Sequence, residues 1–435
     1  MSDVLTIKDI KTASQEITEF FLKNKSILVY NQRVYENKGD HYSGIGTEEQ
    51  LIPVIYRSIN RAQIAKVSTH AIKEAAGRIM SHPDLQFDFD AERIKNATKL
   101  NLLNGEYVIE TKRFTENQRS ATYDYVLSFK YIRGSRIERA AAFMQFIESS
   151  LGREYLDCVL RILAYCISSL TKARKAFLLL GKGATGKSTL LDFLEAVAGT
   201  ENTSHVPFHS MSDLHARAEY QGKRVNISRD NSDLPMKSED AFKSLVSCEM
   251  TTGRLLYHNR IDFVNCAKFI FASNVPLHFA HPDDAVYDRL LVIPFEREIP
   301  ESKKDPELLE KLLKEKDIVF SVAIDQLADL ISSHYDFKEL PASKRIIEQY
   351  RAALHTADSF LQECYVIDLN GSVSSVKLYN HYANWCAANG MEADKKQAFY
   401  AKVRAYSSGI YDSKVYSEGN RVCQWLQGHT AEKSD

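Results

Sequence analysis

The sequence has few of the features that place a protein outside the cell or in a membrane. Its 435 residues include seven cysteines, an odd number without a Cys-x-x-Cys pair, which argues against a disulfide framework and a zinc site. No apolar stretch is as long as a membrane span, and the opening MSDVLTIKDIKTASQE lacks the apolar core of a signal peptide. We therefore predict a cytoplasmic protein that does not contact a membrane.

An excess of charge of one sign is also missing. The 56 Lys and Arg residues nearly balance the 57 Asp and Glu residues, so the formal net charge is −1. Any nucleic acid must therefore be bound by local basic patches rather than by the field of the whole protein. The hydrophobic share of 44% and the charged share of 26% are typical of a globular protein, and the length exceeds that of one compact core.

Apolar patterning divides the chain into five predicted segments. Tyrosines and β-branched residues alternate around Asn37-Lys38-Gly39 and predict a hairpin in the first segment. The second segment reads as mostly helical, whereas the third alternates apolar strands with helices, which favours a parallel sheet and an α/β fold. The predicted segments are an accessory domain over 1–100, a helical segment over 101–170, an α/β core over 171–300, a helical extension over 301–356 and a small mixed domain over 357–435.

The stretch GKGATGKS fits the phosphate-loop pattern G-x-x-x-x-G-K-[ST] at every fixed position. An apolar strand precedes it and a helix follows it, which is the context that this pattern requires. In such a loop Lys187 reaches the β- and γ-phosphates of ATP, and Ser188 is a ligand of Mg²⁺. The predicted ATP-binding residues are Gly181, Lys182, Gly183, Ala184, Thr185, Gly186, Lys187, Ser188 and Thr189.

Three further polar residues are candidates for catalysis beside Lys187. Asp230 follows the strand KRVNIS, where an acid would hold Mg²⁺ and the attacking water, and Asn274 ends the strand KFIFASN, where an amide would contact the γ-phosphate. Arg289 precedes the strand LLVIPF, where a neighbouring subunit could present it as an arginine finger. Each residue has an ordinary alternative role, respectively as a loop carboxylate, a turn residue and a surface ion-pair partner.

The order of these motifs resembles the superfamily 3 helicases, and within them the phage and plasmid primase-helicases related to those of poxviruses. The resemblance is dense over 171–300 and weaker upstream, and the tail resembles the winged-helix region of that family. It implies an AAA+ P-loop ATPase that assembles as a homo-hexamer and uses ATP and Mg²⁺ to unwind DNA. It further implies a replication initiator of a mobile element that lacks the primase module of longer members and works with host replication proteins.

The sequence departs from this family at two positions. Many members have two adjacent acids after the second strand, whereas this chain has Arg229 followed by Asp230. Asp230 is therefore the candidate acid unless Asp233 assists it. Many members also have paired arginines before the last strand, where this chain has Asp288 followed by Arg289. Arg289 is therefore the single candidate finger.

The stretch TTGRLLYHNRIDFV predicts a hairpin, and the resemblance implies that this hairpin grips single-stranded DNA in a central channel. Members of the family usually have a lysine near the tip, where this chain has His258. A mostly neutral histidine binds phosphate less strongly than a lysine does. In the alternative interpretation the hairpin is merely exposed, and its charged side chains interact only with water. The candidate DNA-binding residues here are Lys243, Arg254, Tyr257, His258 and Arg260.

The C-terminal segment contains a second candidate DNA-binding surface. KKQAFYAKVRAY would be a recognition helix and SKVYSEGNRVCQWL a wing hairpin, although a wing that binds a protein partner is a comparable alternative. The candidate phosphate-binding residues here are Lys395, Lys396, Lys402, Arg404 and Arg421.

We therefore predict an ATP-dependent DNA helicase that acts on single-stranded and forked DNA. Two other functions remain open: an origin-binding protein that uses ATP only as an assembly switch, and an AAA+ remodeller of protein complexes.

Overall fold

The computed structural model describes residues 4–229, 234–236, 238–255, 259–280, 282–300, 302, 304–354, 356–389, 393–406, 412–417 and 420–428. By internal packing the chain divides into two units. The larger unit comprises Met1–His281 and Asp288–Lys344, and the smaller comprises Pro282–Tyr287 and Arg345–Asp435. The five-segment division of the sequence stays a prediction.

The first part of the larger unit combines helices with a three-stranded antiparallel sheet. Its elements are α1 (Ala13–Asn24), β1 (Ile27–Tyr30), β2 (Arg33–Asn37), β3 (Tyr42–Gly46), α2 (Glu48–Ser58), α3 (Arg61–Ile64), α4 (Thr69–Ser81) and α5 (Phe89–Lys95). The predicted hairpin is confirmed as β2–β3. A second hairpin, β1–β2, turns at Asn31 and Gln32, whose φ angles of 46° and 64° are both in the left-handed region.

The next part begins with a second antiparallel sheet and only then becomes helical. Its elements are β4 (Lys99–Leu102), β5 (Gly105–Val108), β6 (Arg113–Glu116), α6 (Ala141–Ser150) and α7 (Leu156–Ile167). The prediction of a mostly helical segment over 101–170 is therefore wrong for its first part. The strands are only four residues long, too short for an alternating pattern to stand out. At Gly105 an added Cβ would lie 2.1 Å from the Thr115 carbonyl oxygen, so the close pairing of β5 with β6 requires glycine.

The predicted parallel sheet is confirmed in the third part. The elements are β7 (Ala176–Leu180), α8 (Lys187–Ala198), β8 (Thr203–Ser204), α9 (Leu214–Ala218), β9 (Val225–Ser228), α10 (Glu239–Val246), β10 (Met250–Arg254), β11 (Arg260–Val264), β12 (Lys268–Ser273) and β13 (Leu290–Pro294). Helix α11 (Asp284–Asp288) precedes β13 in the chain and, except for Asp288, belongs to the smaller unit. Five strands pair in parallel in the order β13-β7-β12-β9-β8. β9, β12 and β13 are buried along their whole length, as expected for a sheet covered on both faces.

The hairpin predicted for TTGRLLYHNRIDFV is confirmed as the antiparallel pair β10–β11, with Arg254 opposite Arg260. Its tip, residues 256–258, lies outside the described residues.

The larger unit ends in helices, as the sequence predicts. These are α12 (Leu308–Asp325), α13 (Leu327–Ser332) and the first part of α14 (Pro341–Leu354). α12 packs against α6, α7 and α8, with the Phe320 ring 5.5 Å from the Phe193 ring of α8. Glu315 of α12 accepts hydrogen bonds from the backbone N–H groups of Ala142 and Phe143, which caps the start of α6. α12 therefore holds the helices beside the parallel sheet in place.

The smaller unit combines helices with a three-stranded antiparallel sheet. Its elements after α14 are α15 (Thr356–Cys364), β14 (Tyr365–Ser374), α16 (Ser375–Ala388), α17 (Lys396–Tyr406), β15 (Asp412–Ser417) and β16 (Asn420–Gly428). The three strands pair in the order β14-β16-β15. The Tyr382 and Phe399 rings stack at 4.2 Å in its core. A basic helix and a terminal hairpin occur where the sequence predicts them, while the winged-helix assignment stays a prediction.

In the described part of the chain, no helix combines the length and the apolar character needed to cross a membrane. Nor do the described residues contain a group of three or more His, Cys, Asp or Glu side chains arranged to hold a metal ion.

Candidate nucleotide-binding site

The glycine-containing loop joins the end of β7 to the start of α8, as the sequence pattern predicts. A Cβ atom added at Gly181 would lie 2.1 Å from the Phe295 carbonyl oxygen. Gly186 has a φ of 98°, and an added Cβ there would lie 2.8 Å from Ser150 Oγ of α6. Only glycine fits these two positions. The fixed glycines of the motif are thus required by the neighbouring backbone and by α6.

The ammonium group of Lys187 lies inside this loop. Its Nζ donates hydrogen bonds of 2.6 Å to the carbonyl oxygens of Gly181 and Lys182, and it lies 3.3 Å from Asn274 Oδ1. The Thr185 hydroxyl also donates to the Lys182 carbonyl, at 3.0 Å. These bonds hold a buried positive charge at the centre of the loop.

Asn274 reaches this loop because β12 pairs directly with β7. The Gly181 N–H donates to the Ser273 carbonyl at 3.1 Å, so the two strands end at the same level. The Asn274 side chain is exposed at this carboxyl edge of the sheet. The structure therefore brings together two of the four predicted catalytic residues, Lys187 and Asn274.

Asp230 and Asp233 lie outside the described residues. The strand before them, β9, is the neighbour of β12 on the side away from β7, and it ends at Ser228 opposite Phe271. Two strand spacings separate β9 from β7, about 10 Å in all. The end of β9 is thus close to the phosphate loop, and the role of Asp230 stays a prediction.

Arg229 binds α8, the helix that follows the phosphate loop. This contact could not be read from the motifs of the sequence. Its Nη2 lies 2.7 Å from both Asp192 Oδ1 and Glu195 Oε2 of α8. Glu195 also lies 3.0 Å from His205 Nε2. Asp192 and Glu195 are three residues apart and therefore lie on one helix face. That spacing was the available signal that a cation binds there.

Arg289 lies at the opposite end of the sheet from the phosphate loop of its own chain. Its carbonyl oxygen accepts a hydrogen bond of 2.7 Å from the N–H of Ala176, the first residue of β7. Gly181 lies five positions after Ala176 in the chain, a length of about 16 Å in a strand. That distance exceeds the reach of an arginine side chain. Among its contacts, Arg289 Nε and Nη2 each lie 3.3 Å from the Ser247 hydroxyl at the end of α10.

The loop has the chemistry of a phosphate site. Lys187 supplies a positive charge, and the start of α8 is the positive end of the helix dipole, which favours a bound anion. Ser188 is exposed in the first turn of α8, and Thr189 is half-buried beside it. The Lys182 side chain is 85% exposed and lies 3.7 Å from Glu298. Gly183 has open space around its Cα, since an added Cβ would meet nothing within 4 Å. The residues fit a nucleoside triphosphate with Ser188 as one ligand of its Mg²⁺.

The candidate DNA-binding residues of the hairpin have unequal surroundings. Arg254 and Arg260 are exposed and lie opposite each other near the tip. Lys243 is on α10 rather than on the hairpin, and its Nζ lies 2.9 Å from Asp240 Oδ1. Tyr257 and His258 lie outside the described residues.

Four of the five candidate DNA-binding residues of the smaller unit lie on α17 or directly before it. Lys395, Lys396 and Arg404 are exposed, and the Lys396 ammonium lies 5.3 Å from the Tyr379 ring centre. Lys402 forms an ion pair with Asp394 at 2.9 Å, so part of its charge is already compensated. Arg421 belongs to β16, and its side chain is outside the described residues.

Comparison with known proteins gives a partial sequence similarity and an overall fold similarity. Residues 179–289 match a family described as of unknown function, DUF5906. The protein named Primase D5 of fowlpox virus (strain NVSL) is 24% identical over 228 residues, which cover 47% of this chain and 28% of that protein. The matched part is thus less than a third of that relative.

Two solved structures of the NrS-1 C-terminal region share the fold. One has a TM-score of 0.53 at 13% identity and covers 94% of this chain and 99% of the other. The second has a TM-score of 0.51 at 12% identity and covers 97% and 100%. The chain is therefore similar in sequence to part of a poxvirus primase and similar in fold to the NrS-1 C-terminal region. Superfamily 3 membership, the AAA+ assignment and the missing primase module stay predictions.

Proposed function

We propose that this protein is an ATP- and Mg²⁺-dependent DNA helicase of the superfamily 3 type, with an AAA+ ATPase core. The observation that carries the proposal is the placement of Lys187 and Asn274, which meet at 3.3 Å where a phosphate loop ends a parallel strand. A nucleoside triphosphate bound there would contact a cation and a polar amide at the end that is hydrolysed. The similarity to Primase D5 supports a role in DNA replication.

Each residue of the site has a distinct task in this proposal. Lys187 binds the β- and γ-phosphates, and Asn274 orients the attacking water against the γ-phosphate. Ser188 and Asp230 hold Mg²⁺, which when bound neutralises charge on the phosphates. Arg289 cannot reach its own phosphate loop, which supports a finger offered to a neighbouring subunit. The proposed assembly is therefore a homo-hexameric ring in which two chains build each active site.

DNA would contact the tip of the β10–β11 hairpin, through Arg260, Arg254 and the predicted tip residues Tyr257 and His258. Basic residues beside an aromatic ring are suited to single-stranded DNA, because they bind phosphates while the ring stacks on a base. Forked DNA at the origin of a mobile element is the proposed substrate. Helix α17 would provide a second contact, either with DNA or with a host replication protein.

Strand displacement on a forked duplex tests the proposal, with Lys187→Ala as the inactive control. The wild-type protein with ATP and Mg²⁺ should release the strand, and single-stranded DNA should stimulate its ATP hydrolysis. Stimulation without displacement would instead indicate an origin-binding protein that uses ATP as a switch. An ATP hydrolysis rate that DNA does not change, without strand displacement, would contradict both DNA functions and favour a remodeller of protein complexes.

A further inference from the structure

The outer edge of the β10–β11 hairpin is bound by the N-terminal part of the same unit. Asn31 Nδ2 donates a hydrogen bond of 2.8 Å to the Asp262 carbonyl oxygen of β11. Two residues further, the Val264 N–H donates one of 2.7 Å to Asp90 Oδ2. The backbone N–H and C=O groups of alternate residues in a strand face the same edge, so both bonds satisfy the edge of β11 that β10 leaves unpaired. The hairpin is thus held at its base as well as by its own pairing.

Both binding residues occupy fixed positions. Asn31 is in the tight β1–β2 turn with a φ of 46°, and Asp90 is buried in α5. Burial raises the pKa of Tyr30, and so does a hydrogen bond from its hydroxyl to the Asp90 carboxylate. Asp90 Oδ1 also accepts a hydrogen bond from Arg93 Nη1. The carboxylate that binds the hairpin is therefore positioned by two neighbouring side chains.

A buried chain of charges continues from Asp90 to the parallel sheet. Arg93 Nε donates to Asp124 Oδ2 at 3.0 Å, and the other oxygen of Asp124 lies 3.3 Å from Arg224 Nη2. Burial alone lowers the pKa of Arg93, but the carboxylates of Asp124 and Asp90 raise it well above its usual value. Arg224 is fully buried directly before β9, with its guanidinium carbon 3.6 Å from the Tyr125 ring centre. The same network thus contacts the hairpin and the strand that leads to the predicted catalytic acid.

The opposite edge of the hairpin is held by a short helix of the core. His215 Nδ1 of α9 lies 2.9 Å from the Arg254 carbonyl oxygen of β10. Gly253 packs so closely on α9 that an added Cβ would lie 2.8 Å from the Ala218 backbone. α9 therefore fixes β10, while the N-terminal part fixes β11. The base of the hairpin is thus anchored on both sides.

We propose that the N-terminal part of this chain is a positioning element for the hairpin, acting through Asn31 and Asp90. It sets the orientation of the hairpin relative to the nucleotide site and thereby determines how strongly bound DNA accelerates hydrolysis. The inference about DNA rests on the proposed function, whereas the inference about the hairpin backbone does not.

The turn offers a matched pair of substitutions to test this role. Asn31→Gly removes the amide that binds Asp262 and keeps a residue that tolerates positive φ. Gln32→Gly makes the same backbone change one residue later. In the part of the chain that the structure describes, the Gln32 side chain makes no hydrogen bond. Both variants should fold, because neither touches a buried side chain.

Hydrogen exchange of the full-length protein measures the positioning directly. Asn31→Gly should speed exchange of the amides in 260–264 by about fivefold, the size expected for one lost hydrogen bond. In the same variant, the stimulation of the ATPase by saturating single-stranded DNA should fall by a similar factor of about five. The basal ATPase rate should not change. Gln32→Gly should match the wild-type protein in all three measurements.

Equal hydrogen exchange in the two variants would overturn the positioning role. Faster exchange in Asn31→Gly with unaltered DNA stimulation would overturn its link to DNA. If DNA does not change the ATPase rate of the wild-type protein, the proposed function is contradicted. The hydrogen-exchange measurement still decides whether Asn31 positions the hairpin.

Discussion

Lys187 Nζ lies 3.3 Å from Asn274 Oδ1, although 87 positions separate the two residues in the chain. The contact joins the helix after the phosphate loop to the end of the neighbouring strand β12. An ammonium group has three donors, and the carbonyl oxygens of Gly181 and Lys182 are also within reach. A phosphate in the loop would compete with these oxygens and with Asn274 Oδ1 for one cation. We therefore expect a phosphate bound in the loop to change the position of Asn274.

Lys187→Ala should abolish ATP hydrolysis while the fold persists, because it removes a charge that faces the ligand. The rate should fall by about a hundredfold or more, as when one electrostatic contact to the reacting group is lost. Lys311→Ala, which removes a surface cation paired with Asp305 outside the loop, is the matched control and should hydrolyse ATP normally. The measurement is phosphate release by each folded variant. Normal hydrolysis by Lys187→Ala would show that the active site is elsewhere.

His258→Ala combined with Arg260→Ala should uncouple hydrolysis from unwinding. Basal ATPase should persist because Arg260 is on the hairpin rather than at the phosphate loop. Strand displacement and DNA stimulation should fall, since phosphate contacts are lost. Lys338→Ala, which removes a surface cation paired with Asp336, is the control. If strand displacement at physiological salt survives the double substitution, the hairpin does not grip DNA.

The strand, loop and helix of the candidate nucleotide site could be predicted from the sequence because they follow from local patterns. The apolar run of β7, the glycine loop and the amphipathic helix α8 follow one another directly in the sequence. Each of them can therefore be recognised from its own residues. Asn274 could be placed because parallel strands end at one edge. Short strands were harder: β4 and β5 are four residues each, and the segment reads as helical.

The support of the hairpin could not be predicted from the sequence. Asn31 and Asp262 are 231 positions apart, and Asp90 and Val264 are 174 apart. Each bond joins a polar side chain to a backbone group, and such a contact leaves no periodic signal in either segment. The buried position of Arg224 is equally hidden, since a single arginine before a strand is usually exposed.

Asp124→Asn should destabilise the larger unit strongly. The carboxylate lies between Arg93 and Arg224, and its removal would leave two buried cations with less compensation. Breaking one partner of such a buried pair costs about 3–5 kcal/mol. Asp329→Asn, whose carboxylate is 61% exposed and lies 3.4 Å from Lys112, is the control and should cost about 1 kcal/mol or less. Urea unfolding monitors both variants, and equal midpoints would contradict a structural role for the charge network.

The buried thiols should react slowly in the native protein. Burial raises the pKa of Cys158 and of Cys166 from 9.0 to about 12, so both stay protonated at pH 8. The thiolate fraction of both side chains at pH 8 is therefore far smaller than that of an exposed cysteine. The alkylation rate of these cysteines at pH 8, measured by mass spectrometry, should therefore rise by a large factor when denaturant is added. Fast labelling of the folded protein would contradict their burial.

Arg289→Ala should bind ATP almost normally and hydrolyse it very slowly. An arginine finger stabilises charge on the γ-phosphate and increases the rate by about a thousandfold or more. The length of β7, about 16 Å, separates Arg289 from the phosphate loop of its own chain. A finger role therefore requires a second subunit. Arg78→Ala, which removes an exposed arginine paired with Glu74, is the control and should hydrolyse ATP normally.

Mixing Arg289→Ala with Lys187→Ala tests the shared site, because each variant alone should be inactive. A mixed interface can pair the intact loop of one chain with the intact arginine of the other, so the mixture should regain part of the activity. Subunit exchange must first be demonstrated, for example by energy transfer between two differently labelled preparations. With exchange proven, an inactive mixture would exclude a site built from two chains and leave the phosphate loop of Lys187 as the ATPase site. Near-normal hydrolysis by Arg289→Ala alone would show instead that this arginine has only a structural role, in which its contact with Ser247 stabilises the end of α10.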